Sequence, residues 1–567
     1  MNNSKNISDD VSIHHATTTN KNISKFLGLM IVLLIVILAL VAAILGFLIV
    51  KLNKTQNIII NNSSSPSILS DSITIDQILI HLNEFQRIAV ESNGTRHINS
   101  IGFNKTVDYI YNHLTQKTNL DVHKQYFDVP NFALNSTPIL ISYINGQRFD
   151  YIYDVNFTHM QFSGPTLNWP TTGYPTTHVP NLGCTDLDWE QVQANDKVAI
   201  VKRGDCTYRE KTVLASKYNV RGVLFYNDGI SSEREKPVMA GVPTDTKFPC
   251  FSLSYQAGLQ LAQNTQTTSI VMNIVVKPLP PTIVTNVCAD TKTGDKTQTI
   301  VIGSHSDSVA AGSGINDNGS GTAATLVIAT NLDHFLSKQS SVYSAYAYRV
   351  RFCWWGAEES GLVGSTEHIH RANTSTEIGN RTIDYLVNLN FDMLASPNFV
   401  IAIYDGNTAN NVSTPLSAIV GSIKLTQLFI NYFTTKNMPW DSKIFDGRSD
   451  YGPFLFAGIV CSGLSAGVDL TKTKEQRDRY YRLLNEEGGM ANVVYDPCYH
   501  QQCDTIENIN PVIYEILVKA AAYMIEYLGQ LNDLKTWLYP NGQTTRSLPS
   551  LNINDVVLNN YYRAKDL

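Results

Sequence analysis

Positive charge is scarce in this sequence. Over 567 residues, 43 Lys and Arg stand against 49 Asp and Glu, giving a formal net charge of -6. That balance offers no basic surface for tracking a phosphate backbone and argues against a nucleic-acid partner. It favours no particular charge on a substrate. Cysteine is sparse, with eight in all, and charged residues of both signs make up only 16% of the chain. A phosphate cradle is also missing, because the glycine-rich stretch from Gly312 to Gly321 lacks the Gly-Lys-Ser/Thr ending of a P-loop. No serine-nucleophile elbow is expected. What remains is a globular composition, 43% hydrophobic, in a chain too long for one core, so two or more domains are expected.

Charge vanishes altogether from Phe26 to Val50, a run of 25 residues. A helix there reaches roughly 37 Å at about 1.5 Å per residue, enough to cross a bilayer with some tilt. A cleaved signal peptide has a shorter apolar core and small residues at its cleavage site. Here Lys51 and Lys54 follow at once, so a retained single span is expected. Lys5, Lys21 and Lys25 before it and Lys51 and Lys54 after it are too evenly divided to orient it. Glycosylation sequons at Asn93, Asn104, Asn135, Asn156, Asn373, Asn380 and Asn411 follow the span, with others in the stalk, but three more precede it, so their count does not decide alone. Together with the eight cysteines they place the N-terminus in the cytosol and everything after about residue 55 in the lumen or outside. Vacuole-like compartments and the cell surface fit this topology equally, and no oligomeric state is read.

Around the span, residues 1–25 are polar and 51–71 read as a stalk. Residues 72–159 open the main domain with helices over 74–92 and 103–117, where apolar residues recur at helical spacing. Residues 160–275 alternate short strands, such as Lys197–Lys202 and Gly222–Tyr226, with turns. Their run VAIVKRGDCTYREKTVLASKYNVRGVLFYND resembles the protease-associated domain. Residues 276–535 alternate strands and helices as in an open α/β sheet. Strands are expected at Thr299–Gly303, Arg349–Trp355, Tyr385–Phe391 and Ile459–Gly463, and helices from Gly321 and over Pro511–Leu528. Residues 536–567 form an extension without a clear period.

Acidic and histidine residues cluster where these strands end. The first runs into His305 and Asp307 and then the loop carrying Asp317; the second ends at Glu358 and Glu359; the third ends at Asp392. A later loop holds Tyr499 and His500. Open α/β sheets bind ligands outside the carboxyl ends of their strands, so four segments converge on one edge. Taken singly, a lone histidine is more often structural, and a Glu-Glu pair is more often a solvated loop. Jointly they match zinc, which takes imidazole and carboxylate ligands and leaves a position for water. Two zinc ions about 3.5–4 Å apart need a shared carboxylate. His305, His500 and the carboxylates Asp317, Glu359 and Asp392 suffice if one of them is shared. Glu358 is then free to hold the proton of the water, and Asp307 is placed to accept the second ring N–H of His305.

The segments HSDSV, GINDNGSGTAA, WWGAEESGLVGS, NFDMLASPN, DGRSDYGPF and YDPCYHQQCDTIEN resemble the co-catalytic zinc aminopeptidases of the aminopeptidase Y and bacterial leucyl type. The likeness spans roughly residues 72–535, including the inserted protease-associated domain. It implies a mixed open sheet flanked by helices (the zinc-peptidase fold) with a mainly-β insertion. It also implies two zinc ions: His305 and Asp392 on one, Glu359 and His500 on the other, and Asp317 bridging. Glu358 becomes the general base, Tyr499 lies beside the reacting carbonyl, Cys498 and Cys503 pair, and Arg448 lines the cleft. The implied activity is removal of the first residue from peptides with a free N-terminus, with leucine a fair guess. The α-amino group is expected among Glu358, Asp392 and nearby backbone carbonyls. Competing readings are an inactive receptor on the same scaffold, which retention of every ligand disfavours, a carboxypeptidase using Arg448, and a one-zinc glutaminyl cyclase. Ser306 is expected to face away from the metals, and Asn318, formally a sequon, to carry no glycan.

Overall fold

A computed structural model describes residues 67–546, apart from residues 205, 231–232, 244, 338–342, 344, 411–413 and 485–487. The tail, the expected membrane span, stalk residues 51–66, Asn411 and most of the C-terminal extension lie outside the described residues; the end of the expected stalk, Ile68–Asp71, is instead a helix with Leu69 buried in the core.

One eight-stranded sheet organises the larger part. Its strand order is Asp121–Leu134, Val276–Asp290, Tyr348–Trp355, Asp295–His305, Tyr385–Phe391, Val460–Ser465, Ala402–Tyr404 and Asp441–Lys443. The four strands from Tyr348–Trp355 through Val460–Ser465 run parallel, with antiparallel neighbours on both sides. Parallel strands covered by helices on both faces read as continuous apolar runs, and every residue of Tyr348–Trp355 and Tyr385–Phe391 is buried. Successive side chains take opposite faces. Ile300, Ile302, Phe352 and Trp354 join one core, while Val301, Cys353 and Trp355 join the other.

The helices follow their sequence signals. Ile75–Val90 starts at a capping box in which Thr74 and Gln77 bond each other's backbone, and it buries Ile78, Leu82, Phe85 and Ile88. Gly321–Ser337 and Pro511–Gln530 cover the same face, the latter with proline in its first turn and Asn510 capping Val512 and Ile513. Leu416–Thr435 is long and apolar enough to cross a membrane by length and composition alone. Its Leu425, Phe429 and Phe433 are buried in the core, however, which accounts for that hydropathy by packing.

A long antiparallel arm carries the insertion. Asp121–Leu134 pairs with Val276–Asp290 from Asp121↔Asp290 out to Leu134↔Val276, with a bulge at Pro130, where a strand tolerates proline. Residues 135–275 therefore grow from the arm's far end. They build a second eight-stranded sheet in the order Gln147–Asp150, Ile139–Ile144, Thr268–Asn273, Tyr174–His178, Val198–Lys202, Gly222–Tyr226, Cys250–Leu253 and Phe157–His159. Its first three strands in the chain precede residue 160, ahead of the range read from sequence texture. The signal there is Asn145-Gly146, both at positive φ, which joins Ile139–Ile144 to Gln147–Asp150 as a two-residue hairpin.

Three disulfides are present, Cys184–Cys206, Cys288–Cys353 and Cys498–Cys503, and Cys250 and Cys461 are buried and free. Cys288 and Cys353 are direct partners across adjacent strands. Among the sequons named above, Asn93, Asn104 and Asn135 are exposed, whereas Asn156, Asn373 and Asn380 accept hydrogen bonds from Ile152, Thr382 and Arg351.

Candidate functional site

The carboxyl ends of the parallel strands carry the acids and histidines. His305 closes one strand, Glu358 and Glu359 follow the next after Trp355, and Asp392 follows Phe391. The loop after His305 supplies Asp317. Its glycines make room for this path: a Cβ on Gly321 would lie 2.2 Å from Phe391 O, and Gly314, at φ +60°, would bring one within 2.4 Å of Asp317 O. The peptide between Asp317 and Asn318 is cis.

Two ligand triads result. His305, Asp317 and Asp392 form one, and Asp317, Glu359 and His500 form the other, so Asp317 belongs to both. His305 Nε2 lies 3.2 Å from Asp317 Oδ1 and 3.5 Å from Asp392 Oδ1. His500 Nε2 lies 3.2 Å from Asp317 Oδ2 and 3.1 Å from Glu359 Oε2. Glu358 Oε2 stands off at 3.9 Å from His305. These groups fit divalent cations. His305 Nε2, Asp392 Oδ1 and Glu359 Oε1 are buried without a hydrogen-bond partner, which is costly unless a metal takes the lone pairs. Burial disfavours charge on His500, yet Glu359 and Asp317 lift it to about 10, a measure of how much positive charge these carboxylates demand. Burial pushes the Glu358 carboxyl well above the ordinary range; His305 opposes this, and Glu359, Asp450 and Asp392 reinforce it.

Asp307 meets the second ring nitrogen of His305 with its main chain. Its backbone carbonyl lies 3.2 Å from His305 Nδ1, closer than its carboxylate at 3.6 Å. The carboxylate instead accepts the backbone N–H of Glu358 at 3.1 Å and of Glu359 at 3.4 Å. One residue thus orients the ring through its main chain and the Glu-Glu turn through its side chain. Ser306 turns away and donates to Trp355 O. Asn318 is buried, donating to Phe391 O and accepting from Gly321 N–H, which leaves no room for a glycan in the folded chain.

One further expectation needs correction. Gly463-Leu464-Ser465-Ala466-Gly467 does spell the Gly-x-Ser-x-Gly of a nucleophile elbow. Ser465, however, ends a buried strand with its Oγ 3.3 Å from Lys443 Nζ and 3.5 Å from Met393 O, and no histidine touches it among the described hydrogen bonds. A nucleophilic serine needs a base to accept its proton, but here Lys443 donates to the Ser465 hydroxyl, which itself donates to the Met393 carbonyl.

Several supporting residues carry no motif. Arg96, fully buried, donates to Ser306 O at 2.6 Å, Ser313 O at 2.9 Å and Gly314 O at 2.5 Å, clamping the loop of Asp317 from below. Asp504 accepts the N–H groups of Asn316 and Asp317 at 2.8 and 3.0 Å. Ser449 donates to Asp392 Oδ2 at 2.6 Å. Only their contacts after folding identify them, since an arginine more than 200 residues from its acceptors leaves no spacing to read.

The cleft above the acids is lined by Met393, Tyr404, Lys443, Asp446, Arg448, Val468 and Tyr499. Arg448 Nη2 lies 3.3 Å from the Tyr499 hydroxyl, and the Tyr499 and His500 rings stack with centroids 3.8 Å apart. His500 adopts the left-handed backbone, φ +58°, inside the loop closed by Cys498–Cys503.

Parallel strands ending in two carboxylate-histidine triads around one shared aspartate present the ligand set of a metallohydrolase. The comparisons agree. Residues 286–525 match peptidase family M28, and residues 171–261 match the PA domain. The chain is 33% identical to the probable leucine aminopeptidase 2 of Aspergillus fumigatus, over 78% of this chain and 80% of that one. It is 32% identical to an aminopeptidase of Pseudomonas aeruginosa, over 82% and 83% respectively. In fold it is similar to the aminopeptidase from Aneurinibacillus sp. strain AM-1, with 20% identity, 81% and 95% coverage and a TM-score of 0.56. The chain belongs to peptidase family M28, with an inserted PA domain, and is a metallo-aminopeptidase.

Proposed function

We propose that this enzyme removes single residues from the free N-terminus of peptides with two zinc ions. His305 and Asp392 would hold one, Glu359 and His500 the other, and Asp317 both. The observation carrying this reading is the placement of Asp317 between the two histidines, 3.2 Å from each. Bound there, zinc acidifies water toward neutral pH and polarises a peptide carbonyl.

The chain's own groups supply the rest. Glu358 takes the proton of the attacking water and passes it to the leaving amine nitrogen. Its stand-off from the triads and the backbone hold from Asp307 keep it free for that exchange. The Tyr499 hydroxyl donates to the carbonyl oxygen as negative charge develops there. Glu358 and Asp392 receive the α-amino group, which restricts cleavage to the first residue. Met393, Val468 and Tyr404 offer apolar contact to its side chain, in keeping with a leucine-like preference. The Arg448 guanidinium already pairs with Asp469 at 3.4 Å, which weighs against its serving as the carboxylate anchor of a carboxypeptidase.

For the whole chain, the reading keeps a cytosolic residue 1–25 tail, a span over 26–50, a stalk from residue 51 to the helix Ile68–Asp71 of the peptidase domain, and the peptidase on the luminal or outer side. The test uses the full chain in detergent with leucyl and N-acetyl-leucyl anilides, before and after chelation and zinc addition. Cleavage of the free-amino substrate alone, lost on chelation and restored by zinc, is the expected result. Equal cleavage of both substrates would rule out the aminopeptidase mechanism.

A further inference from the structure

Arg203 stands where a strand of the inserted sheet ends. Val198–Lys202 delivers it, and the parallel neighbour Gly222–Tyr226 delivers Asn227 beside it. The Arg203 N–H donates to Tyr226 O at 2.8 Å, and its Nη1 donates to Asn227 Oδ1 at 3.1 Å. Asn227 is itself buried and donates to Lys236 O at 2.9 Å. The guanidinium is therefore braced within its own domain and still has Nη2 to offer.

That nitrogen donates to Asp469 Oδ2 at 3.2 Å. Asp469 lies in the peptidase domain, just past the strand Val460–Ser465. It also accepts from Nη1 and Nη2 of Arg448, each at 3.4 Å. Arg448 Nη2 in turn reaches the Tyr499 hydroxyl at 3.3 Å. Burial would raise the Asp469 carboxyl, but Arg448, Arg203 and Arg234 hold it below its ordinary value, so it stays ionised. The Asp469 side chain is 5% exposed and that of Arg203 16%, so solvent screens this link less than a surface pair. The Arg448 side chain is 40% exposed. Without Asp469 to receive it, such a long flexible side chain has no reason to keep one rotamer.

We infer that Arg203 of the inserted domain is a positioning residue for the peptidase site, acting through Asp469 and Arg448 on Tyr499. A tyrosine hydroxyl both accepts and donates. With Arg448 on its lone pair, the phenolic proton is left to point at the substrate carbonyl. The insertion is thereby part of the catalytic apparatus, because its placement is read out at Tyr499. This inference rests on the reading of Tyr499 as the oxyanion donor.

A double-mutant cycle on the full-length enzyme tests it. Arg203→Ala is expected to lower kcat on a leucyl anilide about fivefold or more, with KM changed less than about twofold. Arg203→Lys recovers part of the rate, since it keeps the charge and loses the fork. In a Tyr499→Phe background, Arg203→Ala has no further effect on kcat. Zinc content and thermal melting confirm that each variant is folded and loaded, and Arg203→Gln replaces any alanine variant that does not fold. An unchanged kcat in Arg203→Ala overturns the inference. So do multiplicative losses in the double variant, with the aminopeptidase reading left intact. Wild-type turnover by Tyr499→Phe alone overturns the oxyanion role and the positioning chain together, which separates that failure from the others.

Discussion

One carboxylate oxygen of Asp317 faces His305 Nε2 at 3.2 Å, and the other faces His500 Nε2 at the same distance. No other carboxylate belongs to both triads. The backbone N–H of Asp317 is held by Asp504, and its loop is clamped by Arg96, so this position is built from below as well as filled from above.

Asp317→Asn keeps the shape but removes the shared negative charge. Zinc per chain, measured by plasma emission after dialysis, should fall below two. Two tightly held ions in that variant would assign the bridge elsewhere.

Glu358→Gln should retain both metals while kcat drops between about 100- and 10,000-fold, the range of a lost general base. Stopped assays with metal-loaded protein give the comparison. Turnover near wild type would remove Glu358 from the chemistry.

Arg96→Ala removes a donor from three buried carbonyls, of which only Gly314 O keeps another, the Gly319 N–H. A loss of at least about 3 kcal/mol is expected, because hydrogen bonds to charged groups each contribute about 1.5–3 kcal/mol. Arg96→Lys should recover only part, as an ammonium does not reproduce the planar fork. Denaturant titration measures both; a loss under about 1 kcal/mol in Arg96→Ala would contradict the clamp.

Cys503 is exposed, whereas Cys288 and Cys353 are buried, so mild reductant should open Cys498–Cys503 first. Activity should fall before the chain unfolds, because this bridge closes the loop of Tyr499 and His500. Assay and melting curve on the same reduced sample decide the order. Full activity with that bridge open would separate the disulfide from the site.

His81 is buried and hydrogen-bonds the Tyr109 hydroxyl at 2.7 Å. Burial, with His113 nearby, lowers it from 6.5 to about 3. Between those values the unfolded chain binds a proton here that the folded chain refuses. Stability should therefore fall as pH drops through that window, by at most about 1.4 kcal/mol per unit from this group. His81→Gln should flatten the slope of melting temperature against pH, and an unchanged slope would exclude His81 as a source.

Much of the site was legible because its residues sit at strand ends or in short runs with a fixed chemical purpose. Tyr385–Phe391 was read residue for residue, and the strand leading to His305 only needed lengthening. Pro130 and the prolines of Val276–Asp290 obscure the alternation of the antiparallel arm. The early strands of the insertion are marked in the sequence by little besides the Asn145-Gly146 turn. That Asp307 stands beside the His305 ring was legible, but which of its oxygens does so depends on the turn of the Glu-Glu backbone, which takes its carboxylate.

Sequence alone determined which side chains are available for metal chemistry, since ligand type and spacing are local properties written at strand ends. It also determined the 25-residue uncharged run. Only the tertiary structure decided that Asp317 faces both histidines, that Arg96 and Asp504 support its loop, that Cys288 meets Cys353, and that Arg203 reaches the peptidase domain through Asp469. Apart from the one between His305 and Asp317, those contacts join residues 65 to 266 positions apart. They come from sheet register and domain placement, which depend on packing the whole chain at once.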